Sequence, residues 1–293
     1  MRPWIRRCAA NQSPAPDMTK MTILSAIRRH PSVVFGATVV LVLATIAILA
    51  PWLGTVDPTA MSPAMRNRAP SAEHWFGTDS FGRDIYSRVL YGARVSLTVG
   101  LSVAVIASLI GIVIGLLAGY VRVLEGPLMR LMDAIISIPS ILLAIALMTL
   151  IGGSVVNVII AIAITEIPTV ARLVRAGVLS LRNKPYIEAA LTGGTPEWKI
   201  VLKHILPNTM TPVIIAATFI CASAMVVESI LSFIGAGTPS SIPSWGNIIS
   251  EGRTLWQVKP HIVFFPAAFL SVCILAVNVL GDGLRDMLDP RAR

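Results

Sequence analysis

Few residues in this chain are placed to do chemistry. Glu166 and Glu228 lie within long apolar runs, and Asp133 stands at the start of another. A carboxylate in hydrocarbon is costly unless it is paired or hydrated. Each is therefore either a contact for a passing amine or cation, or a tie to a hydroxyl, backbone group or base on a neighbouring helix. For Glu228 the two readings weigh equally. Asp133, with Arg130 and Arg172 as candidate bases, reads as structural, and Glu166 depends on how deep it sits. No Gly-x-x-x-x-Gly-Lys-Ser/Thr stretch occurs, so nothing here cradles ATP phosphates. His-Glu-x-x-His and Cys-x-x-Cys are also missing, and no serine–histidine pair suggests a nucleophile. The histidines His30, His74, His204 and His261 fall in loops or at span ends and read as interfacial. Uphill work by this chain would draw energy from a separate ATPase or from an ion gradient.

One polar stretch, Arg172–Thr211, is too long to be a plain connector. Pro185 suits a first helical turn, and Glu188, Ala189, Ala190 and Leu191 favour helix. Gly193 and Gly194 break it. Thr195 suits an N-cap, Pro196 a first turn, and Glu197 a helix N-terminus. Trp198, Val201, Leu202 and Ile205 then fall at i, i+3, i+4 and i+7, one apolar stripe. Pro207 is expected to end this second short helix. An apolar stripe flanked by Lys199, Lys203 and His204 packs either against the protein's own helices or into a partner's groove. The length of the stretch favours the partner.

The elements that hold these residues follow from composition. Of 293 residues, 55% are hydrophobic and 13% charged, with a mean hydropathy of +0.76. Soluble domains carry about 25% charged residues. Disorder is excluded by the apolar content. A disulfide scaffold is excluded too, because Cys8, Cys221 and Cys273 form no framework and two of them lie in apolar runs. A helix crossing about 30 Å of hydrocarbon needs about 20 apolar residues. Six runs meet or approach this: Val33–Ala50, Val95–Gly119, Ala134–Ile151, Val155–Ala171, Val213–Ile234 and Ile262–Leu280. The first is too long for a signal peptide and lacks a clean cleavage site, so it reads as an uncleaved span.

The net charge of +9, with a pI of about 10.1, matches nucleic-acid binders. The position of the charges argues otherwise. With the N-terminus in the cytoplasm, 17 of the 24 Lys and Arg fall on the cytoplasmic side and 7 outside. The positive-inside rule thus places both termini in the cytoplasm and accounts for the charge without nucleic acid. Gly111, Gly115 and Gly119, with Ala107, form a small-residue ridge suited to close helix packing. Pro139 and Pro168 sit mid-span, where kinks are expected. The outer loop 51–94 ends in Ile85, Val89 and Leu90 at helical spacing, with Arg88 and Arg94 on other faces. That pattern predicts a short amphipathic helix at the interface, most simply a collar for the second span.

Glu188-Ala189-Ala190, with Gly194 six positions after the glutamate and Ile205-Leu206-Pro207 downstream, resembles the EAA loop. That loop marks the permease subunits of binding-protein-dependent ABC importers, where its short helix seats in the ATPase subunit. Thr195 stands where the family usually has alanine. The resemblance covers roughly residues 30–293. It extends to His74-Trp75-Phe76-Gly77-Thr78-Asp79, Gly82-Arg83-Asp84, Tyr86-Ser87-Arg88 and Tyr91-Gly92-Ala93-Arg94. Glu228, Leu231-Ser232-Phe233, Pro243-Ser244-Trp245-Gly246 and the tail Gly281-Asp282-Gly283-Leu284-Arg285-Asp286 complete it. Together these are similar to the C-type permease of the dipeptide/oligopeptide/nickel branch.

The resemblance implies a type I permease with six transmembrane helices, all α, in a bacterial inner membrane. It implies a homologous B-type permease, two ATP-binding subunits and an extracytoplasmic substrate-binding protein as partners. It implies no cofactor in this chain, ATP being bound by the partner subunits. Expected boundaries are a tail at 1–32, a span at 33–50, an outer loop at 51–94 and a core at 95–280. That core contains the cytoplasmic loop 172–212, and a tail follows at 281–293. Glu188, Ala189, Ala190, Gly194, Trp198, Ile205, Leu206 and Pro207 are expected to couple to the ATPase. Glu228 and Glu166 are expected on the translocation path, and Pro243, Ser244, Trp245 and Gly246 against the binding protein. The cargo would be a peptide or similar small solute. Two rivals stand beside this reading: an ion-coupled secondary transporter using Glu166 and Glu228, and an intramembrane enzyme, for which no constellation is found.

Overall fold

A computed structural model of the chain describes residues 31–288. The tail expected at 1–32 lies almost wholly outside the described residues, with Cys8 and His30, as do the last five residues of the tail expected at 281–293. Among the described residues the secondary structure is helical, apart from one isolated bridge between Thr78 and Asp84.

Helix α1, Pro31–Leu49, opens on proline, whose missing N–H is unneeded in a first turn. It ends in a tight turn at Ala50–Trp52. Helix α2, Ile85–Tyr120, is capped by the Asp84 carboxylate, which accepts from the Ser87 N–H at 2.8 Å. This helix corrects one expectation. The turns around Ile85, Val89 and Leu90 are not a separate interfacial helix but the start of the span. All three residues are buried, and so is Arg88; no proline interrupts the helix where it leaves the apolar run, and Gly92 lies within it without breaking it. At about 1.5 Å per residue, 36 residues reach about 54 Å, well beyond the hydrocarbon.

The glycine ridge packs inside the chain. Helix α5, Val155–Leu181, lays Val170, Val174 and Val178 onto Gly111, Gly115 and Gly119. Both rows repeat every four residues, so ridge meets groove. A Cβ on Gly115 would sit 2.6 Å from the Val174 Cβ, so only glycine admits this approach. Helix α5 is ten residues longer than the expected span, and those ten residues belong to the stretch expected as loop 172–212.

The expected third span, Ala134–Ile151, is two helices. Helix α3, Arg122–Ile136, meets α4, Ser140–Ile151, at 90°. Pro139 causes the break: it cannot donate to the preceding turn, and its ring drives Ile138 out of the helical region. Pro168, by contrast, sits inside α5 without ending it.

Helix α6, Pro185–Thr192, and the short α7, Glu197–Ile200, follow. A π turn at Val201–Ile205 then leads directly into α8, Leu206–Phe233. Pro207 therefore does not stop a helix, as expected from sequence, but enters one. The π turn widens the ring, with the Leu206 N–H reaching the Val201 carbonyl, and Asn208 Nδ2 donates to the His204 carbonyl at 2.6 Å. The widening absorbs the bond and the space that proline would otherwise cost. After α8 come α9, Trp245–Gly252, and α10, His261–Leu288, the latter running eight residues past the expected Leu280. Five of these helical runs are long and apolar enough to cross a membrane, and the bent α3–α4 pair makes six.

Candidate functional site

Three places gather the residues singled out above. The first is the segment 182–205. Helix α6 ends with Gly194 at φ +76°, while the Gly194 N–H reaches the Leu191 carbonyl and the Thr195 N–H the Ala190 carbonyl, each at 3.0 Å. That is the double closure of a left-handed helix cap, and it explains why glycine stands there. Pro196, rather than Thr195, opens α7. Ile187, Ile200 and Ile205 are buried among the spanning helices. Opposite them Trp198 is 63% exposed and Leu202 54%, with Tyr186 and Leu191 also exposed. The predicted stripe is thus split: Ile205 anchors the segment, Val201 is half-buried, and Trp198 and Leu202 face out. Glu188, Ala189, Gly194 and Pro207 are exposed, while Ala190 and Leu206 are half-buried. The segment is thus anchored by three isoleucines and shows an apolar face of tryptophan and leucine to the outside.

The second place is at the far end of the bundle. Glu228 is fully buried. It accepts from Ser232 Oγ at 2.8 Å and, at 3.4 Å, from Ser229 and from Ser96 of α2. Thr238 extends the network to Ser244 Oγ at 3.2 Å and takes the Asn247 amide at 2.9 Å. Ser244 in turn caps α9. Ser244, Trp245 and Gly246 all turn inward, with Trp245 Nε1 donating to the Val89 carbonyl at 3.0 Å, and Pro243 is half-buried.

Above this nest the 51–84 loop is locked by four charges. Asp79 Oδ2 accepts from Arg83 Nε at 2.7 Å and from Arg88 Nη1 at 2.6 Å. Glu251 of α9 accepts from both arginines as well. Asp79 and Arg88 are each 1% exposed. Two cations meet two anions, with only Glu251 keeping a partly exposed side chain at 17%, so the charges balance internally. Sequence reasoning noted the arginine and aspartate motifs but missed Glu251, which lies 163 residues from Arg88 and carries no local mark.

The third place is a cleft of ≈ 500 Å³ between α5 and the α3–α4 elbow. Glu166, Thr165, Thr169 and Arg172 line it from α5, and Ile135, Ile136, Ile138, Pro139 and Ser140 from the elbow. Glu166 is half-buried and accepts from Ser223 Oγ of α8 at 3.2 Å. Arg172 Nη2 donates to Asp133 Oδ1 at 2.6 Å, an exposed pair. Beyond it Arg175 pairs with Glu125. Of the two intramembrane glutamates, one is enclosed by hydroxyls and the other faces open space.

Comparison with known proteins agrees with this architecture. The family described as binding-protein-dependent transport system inner membrane component matches residues 111–293. The N-terminal transmembrane domain of oligopeptide transport permease C matches residues 22–70. A probable peptide ABC transporter permease of Sinorhizobium fredii is 49% identical over 281 residues, covering 96% of each chain. A dipeptide transport system permease of Alkalihalophilus pseudofirmus is 40% identical over 268 residues, 91% of this chain and 88% of its own. A glutathione transport system permease of Escherichia coli is 39% identical over 297 residues, 99% of this chain and 98% of its own. With a continuous helical bundle, a capped segment at one end and matches along nearly its whole length, the chain belongs to the family of inner-membrane components of binding-protein-dependent transport systems.

Proposed function

We propose that this chain is the C-type permease of an ATP-driven peptide importer, pairing with a homologous B-type permease and served by two ATP-binding subunits and an extracytoplasmic binding protein. The observation that carries the reading is the 182–205 segment. Its isoleucines root it in the helices, and its exposed Trp198, Leu202, Leu191 and Tyr186 offer an apolar face with Glu188 beside it. That face is suited to an ATPase cleft. Because the π turn runs into α8 without a break, a displacement of the segment is transmitted along a spanning helix. The rigid cap at Gly194 passes it back through α6 toward α5. The peptide cargo is supported by the relatives' names, and the orientation, with both termini in the cytoplasm, by the excess of bases around the segment.

In this reading Glu166 lies on the path, and the Glu228 nest ties α2, α8 and α9 together. Pro243, Ser244, Trp245 and Gly246 brace the binding-protein side from within. The ion-coupled carrier is not favoured, since Glu228 is sealed away from any aqueous route.

The test is co-purification and uptake. A tagged chain should elute with its ATPase subunits, and Glu188→Lys or Gly194→Pro should abolish peptide uptake while normal amounts of protein insert in the membrane. A chain that elutes alone, with uptake abolished by an uncoupler and indifferent to the ATPase subunits, would overturn the proposal.

A further inference from the structure

We infer that the cleft between α5 and the elbow is a subsite for the two charged ends of a short peptide, the Glu166 carboxylate receiving the ammonium end and the Arg172 guanidinium the carboxylate end. The inference rests on the peptide-import reading and makes it specific.

Depth comes first. Eleven residues separate Val155 from Glu166, and α4 reaches from its Ile151 end to Ser140 in twelve. At about 1.5 Å per residue both Glu166 and the elbow lie roughly 16–18 Å from the same end of the bundle, near mid-bilayer. Non-helical backbone at that depth is tolerated only inside protein or along water. Ser137, Ile138 and Pro139 are all exposed, so water or a partner subunit covers them rather than lipid. The facing side of α5 carries Thr165, Glu166, Thr169 and Arg172, a polar stripe that lipid does not solvate.

The charges then define the ligand. Glu166 and Arg172 are six residues apart on one helix, roughly 9 Å along its axis. An extended chain spans at most about 3.3–3.6 Å per residue, so a three-residue peptide, at about 10 Å, bridges that distance outright, and a two-residue peptide, at about 7 Å, does so when the long Glu166 and Arg172 side chains lean together. Both side chains are available. Glu166 has one hydroxyl donor, leaving carboxylate acceptor sites open, and an ammonium group supplies three donors. Among the described residues Arg172 is held only by Asp133, at side-chain exposures of 46% and 60%. A pair so exposed is weak and exchanges readily for another carboxylate, which the guanidinium fork binds in two-pronged fashion. The remaining walls, Ile135, Ile136, Ile138 and Pro139, offer apolar contact without directional demands. The volume of ≈ 500 Å³ falls in the range of small-ligand sites. Fixed ends and indifferent walls suit cargo whose termini are constant and whose side chains vary.

The experiment uses the complete transporter, with its partner permease, ATPase subunits and binding protein, in proteoliposomes. Uptake of radiolabelled dialanine and trialanine is measured beside ATP hydrolysis, and assembly is checked by gel filtration. Glu166→Gln and Arg172→Gln should each lower the peptide moved per ATP about tenfold, with hydrolysis stimulated by loaded binding protein within about twofold of wild type. Glu166→Asp and Arg172→Lys, which keep the charges, should recover most of the loss. A ratio unchanged in the Gln variants, or uptake and hydrolysis falling together whether or not the charge is kept, would overturn the inference alone. If the wild type moves neither peptide while its ATPase responds to a binding protein loaded with another solute, the peptide reading itself falls and takes the subsite with it.

Discussion

The collar formed by the 51–84 loop with α9 and the segment 182–205 are equally rich in motifs, yet the bundle uses them in opposite ways. In the collar, Asp79, Arg83, Arg88 and Glu251 pair with one another largely out of water, Asp84 caps α2, Ser244 caps α9, and Trp245 fills the interior. In the segment the charged and aromatic side chains, Glu188, Glu197, Trp198 and Lys199, point away from the protein, and only three isoleucines are buried. Motif density therefore does not say which way a stretch faces. The collar residues hold the fold, while the segment holds itself by a few anchors and leaves the rest exposed.

The largest expected effect comes from the collar. Arg88→Ala leaves Asp79 and Glu251 short of a cation in a water-excluded site. Breaking such a pair costs roughly 3–5 kcal/mol. Membrane-extracted protein should show a sharply lowered melting temperature and reduced yield, before any question of transport arises. A variant that melts like wild type would mean the network contributes little and the contrast is misdrawn.

The reverse pattern is expected for Trp198→Ala. Truncating an exposed aromatic anchor should leave the melting temperature of the isolated chain unchanged, yet weaken ATPase docking by about 2 kcal/mol, roughly thirtyfold. Pull-down of the ATPase subunits at graded concentrations reads this out. A lowered melting temperature with docking intact would assign Trp198 to the fold instead.

The smallest effect sharpens the comparison within the collar's own loop. The Asp57 carboxylate accepts from the Thr59 hydroxyl at 2.7 Å and the Thr59 N–H at 2.8 Å, both of which hold its pKa below the ordinary aspartate value. A depressed folded-state pKa contributes stability above the unfolded value of about 3.9, and this is lost as pH falls through the lower folded value. Asp57→Asn should therefore cost a small amount of stability at pH 7, and its melting temperature should converge with that of wild type as pH falls through the folded value, flattening a slight acid limb. A marked loss at neutral pH would show that the exposed turn carries structural weight after all.

Particular elements show how much was legible beforehand. The apolar runs located the spanning helices, and the Gly193-Gly194 break and the helix before it were readable from residue type alone. The glycine ridge was readable as a packing surface, though its partner, Val170–Val178 of α5, was not. Two misreadings share a cause: hydropathy marks what prefers lipid, not where backbone hydrogen bonding stops. Helix α2 begins ten residues before its apolar run because nothing breaks it. Helix α5 likewise continues ten residues past its run. Pro207 joins helices instead of separating them, since a π turn supplies the room that proline needs. The elbow at Pro139 did carry a local mark, a proline amid apolar residues, but the 90° angle between α3 and α4 is not legible from residue type.

The sequence by itself determined that the chain is a membrane protein and which stretches are apolar enough to cross a bilayer, because these follow from transfer energies, and its motifs carried the resemblance of one stretch to the EAA loop. Only the tertiary structure decided that Glu228 is sealed while Glu166 faces a cleft, that Arg88 finds Glu251, and that Trp198 points outward while Ile205 points in. Those outcomes depend on which helices meet, and the meeting residues lie many tens of positions apart, where no local preference reaches.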